Sequence, residues 1–224
     1  MVQLSDAGDW SGLNRESPTD LFAAATPRRL KTGELLFEAG DSGDGCYRLE
    51  RGLLKVSLTS SEDNERIVAV LSPGAIVGDL AMIDGLPRSA SVIALSDCEL
   101  RFISKQAFER YARQHPDIYR YLAMVLAARL RRCDQNIGDL AFSPVKTRVA
   151  RALLSLAETL GQGTDSGRIL IPRITQGDIA AMAGLARETT NRVLTDWERT
   201  KLVTKSSGSY QIDAPKLRGE LVQK

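Results

Sequence analysis

The chain has 224 residues, of which 43% are hydrophobic and 26% charged, and a net charge of +2, which fits a globular protein of one large or two small domains. No run of about 18 apolar residues occurs and the first residues do not have the pattern of a signal peptide, so we expect a cytoplasmic protein without a membrane partner. Three separated cysteines and a single histidine argue against a disulfide framework, a metal site and catalysis, and we expect no enzyme.

Residues 29–103 alternate short β-type runs with glycine-containing breaks. The runs are Gly33–Phe37, Cys46–Glu50, Leu53–Leu58, Arg66–Leu71, Ala90–Leu95 and Cys98–Ile103. Strands at this spacing, bounded by turn residues, predict an antiparallel β-roll or sandwich. The polar residues before them contain one short helical candidate, around Asp20–Ala25.

Residues 78–90 interrupt the strand pattern with a predicted helical turn, Asp79–Ile83, and a tight glycine- and proline-containing return to Arg88. Free backbone N–H groups at a helix start favour an anion, and an arginine pairs bidentately with a phosphate. Asp79 is suited to accept hydrogen bonds from sugar hydroxyls. The segment therefore predicts an anion cradle, and the alternative is a β-bulge with a solvated Arg–Asp pair.

Residues 116–140 predict one long amphipathic helix. Seven of its residues recur at alternating steps of four and three, the spacing of a helix that pairs with a copy of itself. This heptad seam consists of Tyr119, Ala123, Leu126, Leu130, Cys133, Ile137 and Leu140. A second stripe, Ile118, Leu122 and Val125, favours packing on the helix's own domain. On pattern alone, an ordinary core helix is the alternative.

The chain from residue 143 onward is basic. Residues 143–224 carry 13 Lys and Arg against 8 Asp and Glu, whereas residues 1–142 carry 17 against 20. A helix over about Val145–Leu160, an exposed loop at Gly161–Gly167 and a strand at Ile169–Ile171 are predicted. The basic charge is a weak indication of a nucleic acid partner.

Residues 174–199 predict a helix-turn-helix. Thr175 is suited to cap the first helix with Asp178, and Gly184 stands where a tight turn is needed. Candidate DNA-contacting residues lie at the start of the first helix and on the polar face of the second. They are Thr175, Gln176, Arg187, Glu188, Thr189, Asn191 and Arg192. A hairpin over residues 202–212 would be the wing, and a structural helical hairpin is the alternative.

Two of these segments resemble a known family. Residues 78–90, ending Pro-Arg-Ser-Ala, resemble the phosphate-binding cassette of the cyclic nucleotide-binding domain. A β-roll, a long helix and a winged helix-turn-helix in this order resemble the CRP/FNR family of bacterial transcription regulators. The resemblance implies an α+β fold with domains 1–142 and 143–224 and a dimerisation helix at about 110–141. It also implies a homodimer on double-stranded DNA with a palindromic, TGTGA-like site.

The resemblance also implies a set of ligand-binding residues. Asp79 stands where the family usually has a glutamate that holds the ribose, Arg88 would pair with the cyclic phosphate, and Ser89 would add a hydroxyl. Cys133 and Asp134 fall where the family contacts the base. The candidates together are Gly78, Asp79, Leu80, Arg88, Ser89, Ala90, Arg129, Cys133 and Asp134.

Several functions stay open at this point. Cyclic AMP is the expected effector by resemblance, while the acceptor-only carboxylate of Asp134 suits the N1–H and amino groups of guanine and makes cyclic GMP the second choice. A vestigial pocket on a ligand-independent DNA-binding protein is a third possibility. From a different class, the chain would be a nucleotide-binding regulatory subunit of an enzyme. The loop 161–167 would contact RNA polymerase or serve only as a connector.

Overall fold

The structure is a computed structural model, and it describes residues 19–23, 25–172, 174–206 and 208–221. The chain divides into two compact units. One comprises Met1–Leu58 and Val68–Cys133, and the other comprises Thr59–Ile67 and Asp134–Lys224. In the described residues before the first strand, the predicted helix around Asp20–Ala25 is a short 3-10 helix, Thr19–Phe22.

The N-terminal strands form two four-stranded antiparallel sheets. They are β1 Thr26–Leu30, β2 Leu35–Phe37, β3 Gly45–Arg51, β4 Leu54–Thr59, β5 Glu65–Leu71, β6 Ile76–Val77, β7 Ser91–Ala94 and β8 Cys98–Ser104. One sheet has the order β1-β8-β3-β6 and the other β2-β7-β4-β5. Buried leucines of both sheets, including Leu49, Leu54 and Leu100, form one core. This is the predicted antiparallel roll.

Each of the six predicted strand runs contains a strand, but β1 and β6 have no counterpart in the prediction. In β1 only Leu30 is buried, so its sequence TPRRL shows no apolar alternation. Its backbone is instead held by pairing with β8, from Thr26 opposite Phe102 to Leu30 opposite Cys98. The strand β6 has two residues, too few to show a period.

Three helices lie between or after these strands: α1 Asp79–Asp84, α2 Lys105–Gln114 and α3 Asp117–Phe142, the last of which continues past Cys133 into the second unit. The long helix begins at Asp117 rather than at about residue 110, because residues 110–114 belong to α2. His115 ends α2 with a φ of −130°, as expected for a residue before proline, which avoids the helical region. The predicted domain boundary after Phe142 falls between α3 and the next helix and stays a prediction.

The two apolar stripes of α3 have different surroundings. Ile118 and Leu122 are buried in a cluster with Phe108 and Met82, as predicted, whereas Val125 of the same stripe is half-buried. On the heptad seam, the side chains of Tyr119, Leu130, Ile137 and Leu140 are 42–65% exposed. The seam is therefore an apolar surface on the described chain, and its pairing with a second copy stays a prediction.

The C-terminal unit contains the remaining elements. They are α4 Val145–Leu160, β9 Gln162–Gly163, β10 Ile169–Ile171, α5 Gln176–Ala183, α6 Arg187–Arg199, β11 Val203–Ser206, β12 Ser209–Ile212 and α7 Ala214–Gly219. The strands form one sheet in the order β11-β12-β10-β9. The predicted helix-turn-helix is α5 and α6, and the predicted wing is the antiparallel hairpin β11–β12.

Local sequence accounts for the geometry of the helix-turn-helix. Thr175 and Asp178 form the predicted capping box at the start of α5, and Gly184 ends α5 with a φ of +61°. A left-handed residue at a helix end is inexpensive for glycine and strained for other residues. Val193, Leu194 and Trp197 of α6 are buried, as predicted. Ala186 precedes α6 and provides no side-chain cap.

Two kinds of feature are absent from the described residues. No helix among them is both long enough and apolar enough to cross a membrane. No group of three or more His, Cys, Asp or Glu side chains among them is arranged to hold a metal ion.

Candidate functional site

The cassette between β6 and β7 is built around α1 and Arg88. Gly78 precedes α1 with a φ of +79°, and Gly85 ends the helix with a φ of +73°. A Cβ atom added to Gly78 would overlap Nη1 of Arg88. Glycine is therefore required at this position both for its backbone conformation and for the close approach of the arginine.

Arg88 lies at the centre of the cassette and is 5% exposed. Its Nη1 donates to the carbonyl oxygens of Gly45, at 2.9 Å, and Gly78, at 2.6 Å. Its Cζ lies 4.4 Å from the ring centroid of Phe37. Its Nε is buried and has no hydrogen-bond partner among the described residues.

The surroundings of Arg88 suit an anion. Backbone carbonyls and an aromatic face stabilise the guanidinium, but no carboxylate among the described residues forms an ion pair with it. A buried cation without a counter-ion is unfavourable. The segment that covers it also approaches closely, since a Cβ added to Gly43 would lie 2.8 Å from Cζ of Arg88. An anionic group bound to Arg88 would supply the missing charge and occupy its unpaired donor.

Asp79, the first residue of α1, is 2% exposed and forms an ion pair with Arg129 of α3. Nη1 of Arg129 lies 2.8 Å from both carboxylate oxygens, and its Nη2 donates to the carbonyl oxygen of Ile76 at 2.6 Å. The pair connects the cassette directly to the long helix within one unit. Each carboxylate oxygen keeps a further lone pair for another donor, such as a hydroxyl group.

We expect Asp79→Ala to lower the free energy of unfolding of this unit by about 3 kcal/mol, because it leaves the largely buried Arg129 guanidinium without its carboxylate. Urea denaturation followed by circular dichroism measures the change. The matched control is Glu99→Ala, which removes the partner of Arg29 in a surface pair with a 3.9 Å separation. The control should change stability by less than about 1 kcal/mol. Equal effects of the two substitutions would contradict a structural role for the Asp79–Arg129 pair.

The other candidate ligand residues are more exposed than Asp79 and Arg88. Leu80 and Ser89 are exposed, Ala90 is half-buried, and Cys133 and Asp134 are exposed on α3. The structure brings together Gly78 and Arg88, and Asp79 and Arg129.

Sequence reasoning missed three residues around Arg88, namely Phe37, Gly43 and Gly45. The glycines belong to the run Gly40–Gly45, which the sequence indicated only as a turn. Cys46, the next residue, is buried, and burial followed by the Asp79 carboxylate raises the pKa of its thiol. It is therefore a neutral packing residue rather than a nucleophile.

The candidate DNA-contacting residues gather on the helix-turn-helix. Arg187, Glu188, Asn191 and Arg192 are exposed on α6, opposite its buried side, and Thr189 is half-buried. Thr175 and Gln176 stand at the start of α5, where Thr175 forms the cap. The Gln176 side chain reaches across to α6 and donates from Nε2 to Oδ1 of Asn191 at 2.9 Å.

Two arginines that sequence reasoning missed hold this unit together. Arg148 of α4 donates from Nε to the carbonyl oxygen of Ala183 at 2.9 Å, at the end of α5. Arg168 donates to the carbonyl oxygens of Lys201, Leu202 and Gln211 at 2.8–3.2 Å, which fixes the base of the wing. Bonds from a side chain to distant carbonyls leave no local sequence signal.

Comparison with known proteins identifies both units. The cyclic nucleotide-binding domain family matches residues 27–115, and the Crp-like helix-turn-helix domain family matches residues 147–219. The first match includes the cassette around Arg88, and the second includes α5, α6 and the wing.

Relatives are similar over most of the chain. A CRP-like cAMP-activated global transcriptional regulator of Mycobacterium tuberculosis is 29% identical over 194 residues, 87% of each chain. The cyclic AMP receptor protein of Thermus thermophilus is 32% identical over 203 residues, 90% of this chain and 91% of the relative.

Solved structures share the fold. A CRP/FNR family regulator from Thermus thermophilus has a TM-score of 0.75 and 26% identity, covering 88% of this chain and 99% of that chain. The c-di-GMP responsive regulator CLP of Xanthomonas campestris has a TM-score of 0.74 and 23% identity, covering 85% and 95%. Its effector differs from cAMP, so the fold alone does not define the ligand. Because the sequence similarity extends over both functional units and nearly the full length of its relatives, this chain belongs to the CRP/FNR family of transcription regulators.

Proposed function

We propose that the chain is a cytoplasmic, homodimeric regulator that binds a palindromic, TGTGA-like DNA site in response to cyclic AMP. The observation that carries the effector is the buried guanidinium of Arg88, which has an unpaired Nε and no carboxylate partner among the described residues. A cyclic phosphate has the charge and the acceptor oxygens that this group lacks. A side chain at Gly78 or Gly43 would collide with the guanidinium, so glycine at both positions lets the backbone approach Arg88 closely.

The choice of cyclic AMP is supported by the relatives. The Mycobacterium tuberculosis relative is described as cAMP-activated, and the Thermus thermophilus relative as a cyclic AMP receptor protein. In this proposal Arg88 and Ser89 hold the phosphate, and Asp79 accepts from the ribose while it pairs with Arg129. Leu80, Ala90 and Gly78 complete the cassette.

Cyclic GMP is the second candidate, and Asp134 favours it. By the family resemblance Cys133 and Asp134 contact the base, and both are exposed on α3. An ionised carboxylate is an acceptor only, so it suits the two adjacent donors of guanine better than the single amino group of adenine.

The exposed heptad seam supports the homodimer. Two parallel copies of α3 would bury Leu130, Ile137 and the other seam residues against each other. A two-fold dimer would present the α6 helix of each copy, the recognition helix, to two half-sites about 34 Å apart, one turn of B-DNA. The largely exposed segment 161–167, predicted as a loop, contains the short strand β9 and stays a candidate contact for RNA polymerase.

The proposal is tested by two titrations of the full-length protein. Calorimetry with cyclic AMP and with cyclic GMP should show tighter binding of cyclic AMP. Fluorescence anisotropy on a TGTGA palindrome should show about tenfold or greater tightening when cyclic AMP is added. DNA affinity should also fall steeply with salt, as expected when Lys and Arg release counterions. Equal DNA affinity with and without either nucleotide would refute ligand control.

A further inference from the structure

The hydrogen bond between Gln176 and Asn191 joins the two helices of the helix-turn-helix. Gln176 is the first residue of α5, and Asn191 lies one turn beyond Arg187 on α6. Nε2 of Gln176 donates to Oδ1 of Asn191 at 2.9 Å. Gln176 is half-buried, whereas Asn191 is exposed beside Arg187 and Arg192.

The backbone that carries Gln176 is held firmly. In the capping box before it, the backbone N of Thr175 donates to Asp178 Oδ2 at 3.0 Å, and the backbone N of Asp178 donates to Thr175 Oγ1 at 3.1 Å. These reciprocal bonds fix the first turn of α5. Gln176 therefore reaches α6 from a defined position.

The bond decides which end of the Asn191 amide is presented to a ligand. A primary amide carries an acceptor oxygen and a two-donor nitrogen on opposite sides of the same carbon. Because Oδ1 of Asn191 is turned toward Gln176, the two donors of Nδ2 are on the side of the amide that is turned away from Gln176. An asparagine with both ends available pairs with the N6 and N7 atoms of adenine, and this one presents a donor.

We propose that Gln176 is a positioning residue that turns the Nδ2 donors of Asn191, rather than its Oδ1, toward the major groove. This inference rests on the proposed function, in which α6 enters that groove. Guanine presents two acceptors and no donor there, whereas cytosine presents only its amino donor. Asn191 therefore favours guanine and disfavours cytosine at the base pair it faces.

The test compares full-length variants on DNA, with saturating cyclic AMP. A consensus palindrome is first selected from a random pool with the unmodified protein. Each base pair is then changed symmetrically in both half-sites, and affinities are measured by anisotropy. The informative variant is Gln176→Glu, because a carboxylate only accepts, and a bond from it to Asn191 has to use Nδ2, which turns Oδ1 outward. An acidic residue in the first turn of α5 is also favourable for that helix.

We expect Gln176→Glu to reverse the preference at one base pair, from guanine toward cytosine or adenine, by about tenfold. The added negative charge should weaken binding to all sequences alike. This uniform loss of affinity distinguishes the effect of the charge from a reversed base preference. Gln176→Met, which leaves both ends of the amide free, should reduce the discrimination at the same base pair and improve acceptance of adenine.

The control is the double variant Gln176→Glu with Asn191→Ala, compared with Asn191→Ala alone. Without the Asn191 amide, Gln176→Glu should change affinity uniformly and reverse no preference. An unchanged base preference in both Gln176→Glu and Gln176→Met would overturn the positioning role, while the proposed function would stand. If the unmodified protein selects no sequence from the pool, the proposed function and this inference both fail.

Discussion

Replacing Arg88 by alanine is expected to abolish cyclic nucleotide binding. The substitution removes the only buried guanidinium placed against the cassette backbone among the described residues, together with its unpaired Nε. Removing one partner of a buried, hydrogen-bonded charge pair costs about 2–5 kcal/mol or more. At about 3 kcal/mol, the loss in affinity is on the order of a hundredfold in Kd.

Calorimetric titration with cyclic AMP measures the effect, and two further variants make it specific. Arg88→Lys keeps the charge but loses the planar set of donors, so its affinity should lie between those of the unmodified protein and Arg88→Ala. Arg113→Ala removes an exposed arginine of α2 and should leave the affinity unchanged. A Kd for Arg88→Ala equal to that of the unmodified protein would refute the anion site.

The same variant also separates binding from folding. Arg88 holds the carbonyl oxygens of Gly45 and Gly78, so some loss of stability in the N-terminal unit is expected. The C-terminal unit contains none of these contacts, and salt-dependent, non-specific DNA binding should persist in Arg88→Ala. Only the response of DNA affinity to cyclic AMP should disappear.

Features set by near neighbours in sequence were predictable. Thr175 and Asp178 of the capping box are three positions apart, and the φ of +61° at Gly184 follows from a turn between two helices. The stripe of Ile118 and Leu122 repeats at helical spacing and is buried as predicted. Each feature depends on residues close to one another in sequence, so residue spacing and residue type are enough to predict it.

Features set by distant residues were not predictable in detail. Arg129 and Asp79 are 50 positions apart, and nothing in either segment indicates that the Arg129 guanidinium bonds both the Asp79 carboxylate and the carbonyl oxygen of Ile76. The contact of Phe37 with Arg88 and the reach of Gln176 to Asn191 likewise depend on how the elements pack. Resemblance to the family supplied the candidate residues, and the structure supplied their partners.

Leu130→Glu is expected to separate the dimer and to remove high-affinity DNA binding. Leu130 lies in the middle of the heptad seam and is 63% exposed on the single chain. In a paired helix its side chain would be buried, and a carboxylate there would be desolvated without a partner. Glutamate is a good helix former, and Ile118 and Leu122 still attach α3 to its own unit, so the fold should survive.

The expected result is a halved mass in light scattering and a loss of about a hundredfold or more in affinity for the palindrome, because a monomer reaches one half-site and loses the effective concentration of the second. Affinity for a single half-site should change little. Gln135→Glu is the matched control, since it adds the same charge to an exposed position of α3 two residues beyond Cys133 and off the seam. If Leu130→Glu keeps the dimer mass and the palindrome affinity of this control, the heptad seam is not the dimer interface.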